Sequence, residues 1–309
     1  MAVTLSGTEL VTDGNMEATD TSSWSNLYGT PTTVEKNTTN PIAGSRDLHI
    51  VMDAANEGVR QVLTLTAGRW YRLALKLRCT SGSLRSWFEP NATGGACVAA
   101  QGVSPSSPTA YKCSGQFLGG ANHRVYINSF TVGAEGYFDD ISVQEIVKVS
   151  LFSQQADSGS SDVVEASVEV THPSTFEAPC GVAICMDAND PTKYILGVVI
   201  RLGGYQSKVR IYAVNGGTST YYEPTITYVA GKRVKLTKSG DTVTIYYNNT
   251  QIDQRTLTGY SGTIHGLFNT DDDNTLGAYT LPSTQVGRGV TIDSVNLSAW
   301  NGIAVSKVV

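Results

Sequence analysis

"WYRLALKLRC", Trp70 to Cys79, alternates almost without a break. Tyr71, Leu73, Leu75, Leu77 and Cys79 stand at one parity, and Trp70, Arg72, Lys76 and Arg78 at the other. Successive side chains of a strand point to opposite faces, so this stretch reads as a strand with one apolar and one polar side. The same period recurs on either side of it. "SLRSWFEP" sets Leu84, Ser86 and Phe88 against Arg85, Trp87 and Glu89. "KVRIYAV" sets Val209, Ile211 and Ala213 against Lys208, Arg210 and Tyr212. "DTVTIYYNNT" sets Val243, Ile245 and Tyr247 against Thr242, Thr244 and Tyr246, then turns at Asn248 and Asn249. Turn residues separate such runs at Ser81-Gly82, Gly94-Gly95, Gly119-Gly120, Gly216-Gly217 and Ser239-Gly240. Helical periodicity is almost absent. Strands with one apolar face at this spacing make antiparallel sandwiches, so the expected fold class is all-β.

One pattern occurs twice. "AEGYFDDISVQE" (Ala134 to Glu145) and "GRGVTIDSVNLSA" (Gly287 to Ala299) both run from glycine through a hydrophobe and an aspartate into an alternating strand. A chain of 309 residues is long enough for about two domains, each with its own core. The expected organisation is therefore two antiparallel β-sandwich (jelly-roll) domains in tandem, over residues 1–148 and 149–300. A tail, 301–309, follows; its "GIAVSKVV" reads equally as a docking strand or a frayed terminus.

Composition excludes several classes. Net charge is −5 and no basic run occurs, which argues against nucleic acid as a partner. No stretch approaches the 18 apolar residues of a membrane span, so no membrane insertion is expected. The start "MAVTLSGTELVTDG" has neither a charged n-region nor an apolar h-region, so no signal peptide is read. Five cysteines (Cys79, Cys97, Cys113, Cys180, Cys185) contain no C-x-x-C pair, and a zinc ribbon is not expected. A disulfide among Cys79, Cys97 and Cys113 competes with the reading of small buried thiols. Cys180 and Cys185, at an odd offset, should face opposite sides of one strand.

No catalytic constellation emerges. In "EASVE", Glu165 and Glu169 lie roughly 13 Å apart along a strand, too far for a retaining glycosidase pair and without the middle acid. The histidines (His49, His123, His172, His265) show no ligand spacing, and no nucleophile elbow or phosphate loop is present. "NTDDDNT" (Asn269 to Thr275) is acidic but lacks the EF-hand order and reads as a solvated turn. The expectation is a protein that is not an enzyme.

Binding is better supported. Sugars stack on aromatic rings while polar neighbours take their hydroxyls. Trp87 stands opposite the apolar parity of its strand beside Arg85 and Glu89; Trp70 is opposite Leu73; Tyr126 alternates with Val125 and Ile127. Trp70, Arg85, Trp87, Glu89 and Tyr126 are the candidate glycan residues, against the alternative that these rings cover a core edge or another subunit. Trp24 is read as core. Tyr205, Tyr212, Tyr221 and Tyr222 form a second candidate contact surface.

Three ordered stretches carry a resemblance: "ELVTDGNMEATDTSSW" (Glu9 to Trp24), "GVRQVLTLTAGRWYRLALKLR" and "GYFDDISVQE". Over residues 9–146 they resemble the family 4/9-like carbohydrate-binding modules, with Asp13 and Met16 where that pattern usually has Asn and Phe. From about Asp187 to Trp300, "KYILGVVIRLGGYQSKVRIYAVNGGT", "VAGKRVKLTKSGDTVTIYYNNTQID" and "HGLFNTDDDNT" resemble laminin-G or concanavalin-like jelly rolls. The pairing resembles phage structural proteins. The first resemblance implies Ca2+ tying the N-terminal segment to the closing strand, with Asp13, Glu17 and Asp140 as its metal ligands. The alternative is that Asp139 and Asp140 accept backbone N–H bonds, and the single Asp293 of the second half is likewise expected to be a structural acceptor. Modules of this kind act outside cells; with no signal peptide, the expected place is a virion surface, the protein being made in the host cytoplasm. The function expected is a non-enzymatic fibre, adhesin or decoration protein contacting cell-surface polysaccharide. Other virion proteins and its own copies, as a homo-oligomer, are the further partners. A purely structural capsid or tail decoration protein is the alternative, and a glycan-degrading enzyme or its accessory subunit ranks below both.

Overall fold

The computed structural model describes residues 3–89, 97–116, 120–172, 177–187, 193–201, 207–216 and 218–282. The second closing stretch with Asp293, the tail 301–309 and Tyr205 lie outside the described residues.

The first half contributes β1 (Ser25–Leu27), β2 (Thr33–Asn37), β3 (Asp47–Met52), β4 (Gly58–Leu65) and β5 (Trp70–Ser81). It continues with β6 (Leu84–Glu89), β7 (Cys97–Val103), β8 (Thr109–Gln116), β9 (Gly120–Asn128) and β10 (Ala134–Glu145). A 3-10 turn, Lys148–Ser150, leads into the second half. There follow β11 (Phe152–Asp157), β12 (Val163–Thr171), β13 (Cys180–Met186), β14 (Tyr194–Ile200), β15 (Ser207–Asn215) and β16 (Thr218–Tyr222). The last are β17 (Thr225–Ile226), β18 (Lys232–Ser239), β19 (Thr242–Tyr247), β20 (Thr250–Thr256), β21 (Ile264–Asn269) and β22 (Thr275–Thr280).

The chain is all-β. In the first half, sheet β1-β4-β9-β6-β7 packs on sheet β2-β3-β10-β5-β8. In the second, β11-β21-β13-β14-β15-β16, with β17 beside β15, packs on β20-β19-β18-β12-β22. Every strand pair described is antiparallel. Alternation puts Leu73, Leu75 and Leu77 of β5 against Val125 and Ile127 of β9 and Phe88 of β6, with Met16 and Trp24 sealing the core. Val168, Ile211, Leu236 and Ile245 centre the second core. The disulfide Cys97–Cys113, Cα atoms 5.9 Å apart, joins β7 to β8 and so ties the edges of the two sheets together. Cys79, Cys180 and Cys185 are buried thiols.

A third apolar cluster lies between the sandwiches. Trp70 meets Tyr212 and Phe268 at ring separations of 5.6 and 4.9 Å, with Leu196, Val198, Val214 and Ile146 around them. Strands β13 and β14 are buried along their whole length because one face meets the second core and the other meets the first domain. Cys180 and Cys185 do not take opposite faces as their offset predicts. The register of β13 slips between Ala183 and Met186, Cys185 has φ 55°, and both thiols join the same core. One inserted residue reverses parity, which is what a bulge does.

Polar groups reinforce this junction. The backbone N–H of Ser114 donates to the carbonyl of Glu177 at 2.8 Å, and the N–H of Val98 donates to the Glu177 carboxylate at 2.6 Å. "NTDDDNT" is not the solvated turn expected. Asp271 is fully buried; its carboxylate receives Lys112 Nζ at 2.5 Å and stands 3.4 Å from Arg72, both from the first domain. Asp273 takes Lys112 as well, at 2.6 Å. The acidic turn is an interdomain clasp.

Candidate functional site

The outer face of sheet β1-β4-β9-β6-β7 is set by register. Arg60 of β4 stands opposite Tyr126 of β9, and Tyr126 opposite Trp87 of β6. Two residues along, Gly58, Asn128 and Arg85 form the next row; in the other direction the row is Val62, Arg124 and Glu89. Their neighbours Val59, Leu63, Val125, Ile127 and Phe88 are core, so alternation assigns these nine positions to the other face of the sheet, where Asn128, Tyr126 and Arg85 are themselves buried. The result is a three-by-three grid about 10 Å across the strands and about 14 Å along them.

Its centre is aromatic. The rings of Trp87 and Tyr126 lie 6.1 Å apart and 19° from parallel. Arg85 is braced from below: its Nε donates to Asn128 Oδ1 at 3.0 Å and an Nη to Asn56 Oδ1 at 3.3 Å. The Arg85 guanidinium is 3.3 Å from the centroid of exposed Phe130 and 5.5 Å from that of Trp87. Asn128 is itself held by its amide donating to the Asn56 carbonyl at 3.2 Å. Trp87 Nε1 and Arg60 Nε are buried donors with no acceptor among the described residues.

The structure therefore brings Arg85, Trp87 and Tyr126 together, but Tyr126 and Arg85 are each only 6% exposed, so of these three only the half-buried Trp87 offers its side chain to a ligand. The backbone of Glu89 belongs to the same face, while its side chain lies outside the described residues. Trp70 does not join them. It sits on the other sheet, on the face opposite Leu73 as expected, but the second domain covers that face and leaves it 1% exposed. A ring packed between two sandwiches offers no surface to a sugar. Tyr212 and Tyr221 do form a contact surface, turned inward: Tyr212 meets Trp70 and Tyr221 stacks behind it at 5.8 Å. Arg60, Arg124, Asn128 and Phe130 were missed from sequence. The available signal was that Arg60 and Arg124 alternate with Val59 and Val125.

The three acids expected to hold calcium are not assembled. Asp13 and Asp140 line one cleft of about 430 Å³ with Glu9, Gly14 and Asn15; Glu17 is not part of it. Lys36 Nζ pairs with the Asp13 carboxylate and donates to the Met16 carbonyl at 3.0 Å, largely buried. Asp140 pairs with Lys76 at 2.8 Å. Glu9 is committed to backbone N–H groups of Val11 and Val143. Glu17 accepts from the Ser45 hydroxyl and from the N–H of Ser45 and Arg46, which holds its carboxyl below the usual range. Calcium requires six to eight oxygens with little competing positive charge. Here two ammonium groups stand among the acids, so this donor set does not fit the ion.

The closing strand is instead held by hydrogen bonds. Asp139, fully buried, accepts from Ala43 N–H at 2.9 Å and Asp140 N–H at 2.7 Å; burial pushes its carboxyl up to about 6. Ile141 N–H donates to the Gly14 carbonyl at 2.8 Å. A Cβ on Gly14 would stand 1.9 Å from the Ile141 carbonyl oxygen, which explains the glycine after Asp13.

Residues with nucleophilic potential are committed elsewhere. Glu165 pairs with Lys235 at 3.4 Å and Glu169 with Arg233 at 3.1 Å, on the outer face of β12. Ser158 Oγ lies 2.7 Å from His265 Nε2. Cys185 N–H donates to His265 Nδ1 at 3.2 Å, so the ring proton is on Nε2 and points at the serine. That tautomer cannot take a proton from Ser158, and burial lowers the imidazole to about 4.

No family model and no curated protein matches the chain. Among solved structures, the N-terminal CBM22-1–CBM22-2 tandem of Xyn10C from Paenibacillus barcinonensis is similar at 10% identity. The match covers 88% of this chain and 92% of that one, with a TM-score of 0.40. The enzymatically active domain of tailspike protein 4 from bacteriophage CBA120 matches 45% of this chain at 17% identity and a TM-score of 0.38. The match covers 21% of that chain. Domains LG4-5 of the mouse laminin alpha1 chain match 71% of this chain and 79% of theirs, at 12% identity and a TM-score of 0.25. Similarity at this level assigns no ligand.

Proposed function

We propose that the protein is a non-catalytic glycan-binding protein that presents Trp87, backed by the buried ring of Tyr126, as its sugar platform. The carrying observation is the row Arg60–Tyr126–Trp87 on one sheet face, the half-buried Trp87 ring lying near-parallel to Tyr126 with Arg60 at the far end of the row. Rings of this kind take the C–H faces of sugars, and the flanking donors take oxygens. Calorimetric titration against xylan, galactan, polygalacturonate and isolated cell-envelope polysaccharide tests it. Saturable binding to at least one, lost in Trp87→Ala with the melting temperature kept, is the expected result. Absence of binding throughout would favour the structural reading, in which the paired sandwiches supply shape alone.

We further place the protein on a virion surface, in contact with other virion proteins as a homo-oligomer. The support is the sequence resemblance of its tandem modules to phage structural proteins. Immunogold labelling of purified particles and light scattering of the isolated protein test location and oligomeric state.

A further inference from the structure

We infer that the ligand of this face is an anionic glycan, its carboxylates met by Arg60 and Arg124 on two sides of the Trp87–Tyr126 pair. The inference rests on the glycan reading of the face and adds the charge of the ligand. Arg60 lies in the aromatic row, two strands from Trp87 and so about 10 Å away; Arg124 lies two residues from Tyr126, about 7 Å along β9. Arg85 is buried and bonded to Asn128 and Asn56, and supports the row from beneath. Two half-buried arginines, Arg60 and Arg124, therefore flank the aromatic pair in a chain whose net charge is −5.

Register limits the compensating charge. Arg124 stands opposite Glu89 in the register of β9 and β6. Arg60 faces Tyr126 on one side and Ser25 on the other, neither of them acidic. The ion pairs of the described residues engage other cations, among them Arg69, Arg72, Arg78 and Arg233, but neither Arg60 nor Arg124. A neutral glycan laid on the platform would strip water from Arg60 and return only weak hydroxyl acceptors. Desolvating an uncompensated charge is costly, whereas a carboxylate matches the planar guanidinium with two parallel hydrogen bonds. Single-stranded nucleic acid offers stacking and anions too, but its binding depends on a basic groove that tracks the backbone over several nucleotides. A patch of one ring pair does not extend that far.

The test uses the full chain against polygalacturonate, alginate and hyaluronan, each beside its carboxyl-reduced, neutral counterpart. Dextran sulfate and oligothymidylate are the other anions. Expected is binding to at least one polyuronate that weakens about tenfold or more on carboxyl reduction and falls as NaCl rises from about 50 to about 500 mM. Arg60→Gln weakens polyuronate binding about tenfold, and Arg60→Lys restores part of it, because charge without the fork is a poorer match. Should Arg60→Gln fail to fold, carboxyl reduction and salt dependence still decide. Equal affinity for native and reduced polymers, or binding to xylan alone, overturns the anionic ligand and leaves the glycan reading standing. Binding to none of the polymers overturns both. Tighter binding of dextran sulfate or oligothymidylate than of any polyuronate overturns carboxylate recognition.

Discussion

Replacing Trp70 by alanine separates the two roles its sequence position allows. The ring is 1% exposed, packed edge-on to Tyr212 and tilted against Phe268, within a cluster that also holds Leu196, Val198 and Ile146. Truncating a core tryptophan costs about 3–5 kcal/mol, from lost transfer energy and the cavity left behind. The site lies between two sandwiches, each with its own core, so separation of the domains can relieve part of the cavity. The lower end, about 3 kcal/mol, is therefore expected. That is a large share of the roughly 5–15 kcal/mol that stabilises ordinary domains. Urea unfolding followed by near-ultraviolet circular dichroism reads the loss. Limited proteolysis at the turn Lys148–Ser150 reads loosening of the junction and should be faster in the variant. Glycan affinity should stay within about twofold of the parent, whereas Trp87→Ala should lose affinity and keep stability. If Trp70→Ala abolished binding while unfolding at the parent's urea midpoint, the interdomain placement of this ring would be refuted.

Four further outcomes follow from the same structure. Calcium or a chelator should move the melting temperature by less than about 1 °C, because a ligand stabilises only a state that binds it; an upward shift growing with calcium concentration would contradict the donor set described. Lys36→Met should cost about 3 kcal/mol in urea unfolding, since it leaves the Asp13 carboxylate buried beside Met16 without its cation, and an unchanged midpoint would refute the pair. Reducing Cys97–Cys113, or replacing both by serine, should cost about 3 kcal/mol, the value for a loop of about this length; the bridge spans 16 residues, and equal melting with and without reductant would show that it contributes nothing. For His265, burial holds the folded imidazole near 4, below its ordinary 6.5. The unfolded chain then binds a proton that the folded chain refuses, so this stabilising term is whole above pH about 6.5 and lost as pH falls towards 4. Parent stability measured against His265→Gln should drop by about 3 kcal/mol across that window, at no more than about 1.4 kcal/mol per pH unit. A difference independent of pH would contradict the buried neutral ring.

Legibility of the fold from sequence tracked whether one face of a strand met a core and the other met water. Strands β5 and β6 satisfy this on their inner faces, and their apolar parity was right. On the outer face of β5, polarity misled: Trp70 and Arg72 read as solvent-facing, yet the second domain covers both, through Phe268 and Asp271. The covering sheet carried its own signal in "CGVAICM" and "YILGVVI", apolar runs without alternation. A strand can be apolar at every position only if both faces are buried. The grid was unreadable for a different reason. Arg60, Tyr126 and Trp87 meet only through the order β4-β9-β6, and strand order is a non-local property that no window of sequence contains.

The closing strand shows that even a misplaced side chain can leave a trace. In "YFDDISV" the buried apolar positions are Phe138, then Ile141 and Val143, so parity switches from even to odd within the strand. A strand that keeps its core face can do this only by inserting a residue, and the register does slip between Asp139 and Ser142, with Asp140 at φ 49°. The bulge turns Asp139 into the domain, where it accepts two backbone N–H bonds, and Asp140 out to Lys76. The expectation of Asp140 as a calcium ligand came from the resemblance of the closing stretch, which does not show where a bulge falls. Alanine at Asp139 should therefore cost more than alanine at Asp140: the first strands buried donors at about 1–3 kcal/mol, while the second removes an exposed ion pair worth at most about 1 kcal/mol. Equal effects in urea unfolding would mean that the strand carries no bulge and that the acid facing the N-terminal segment is Asp140 after all.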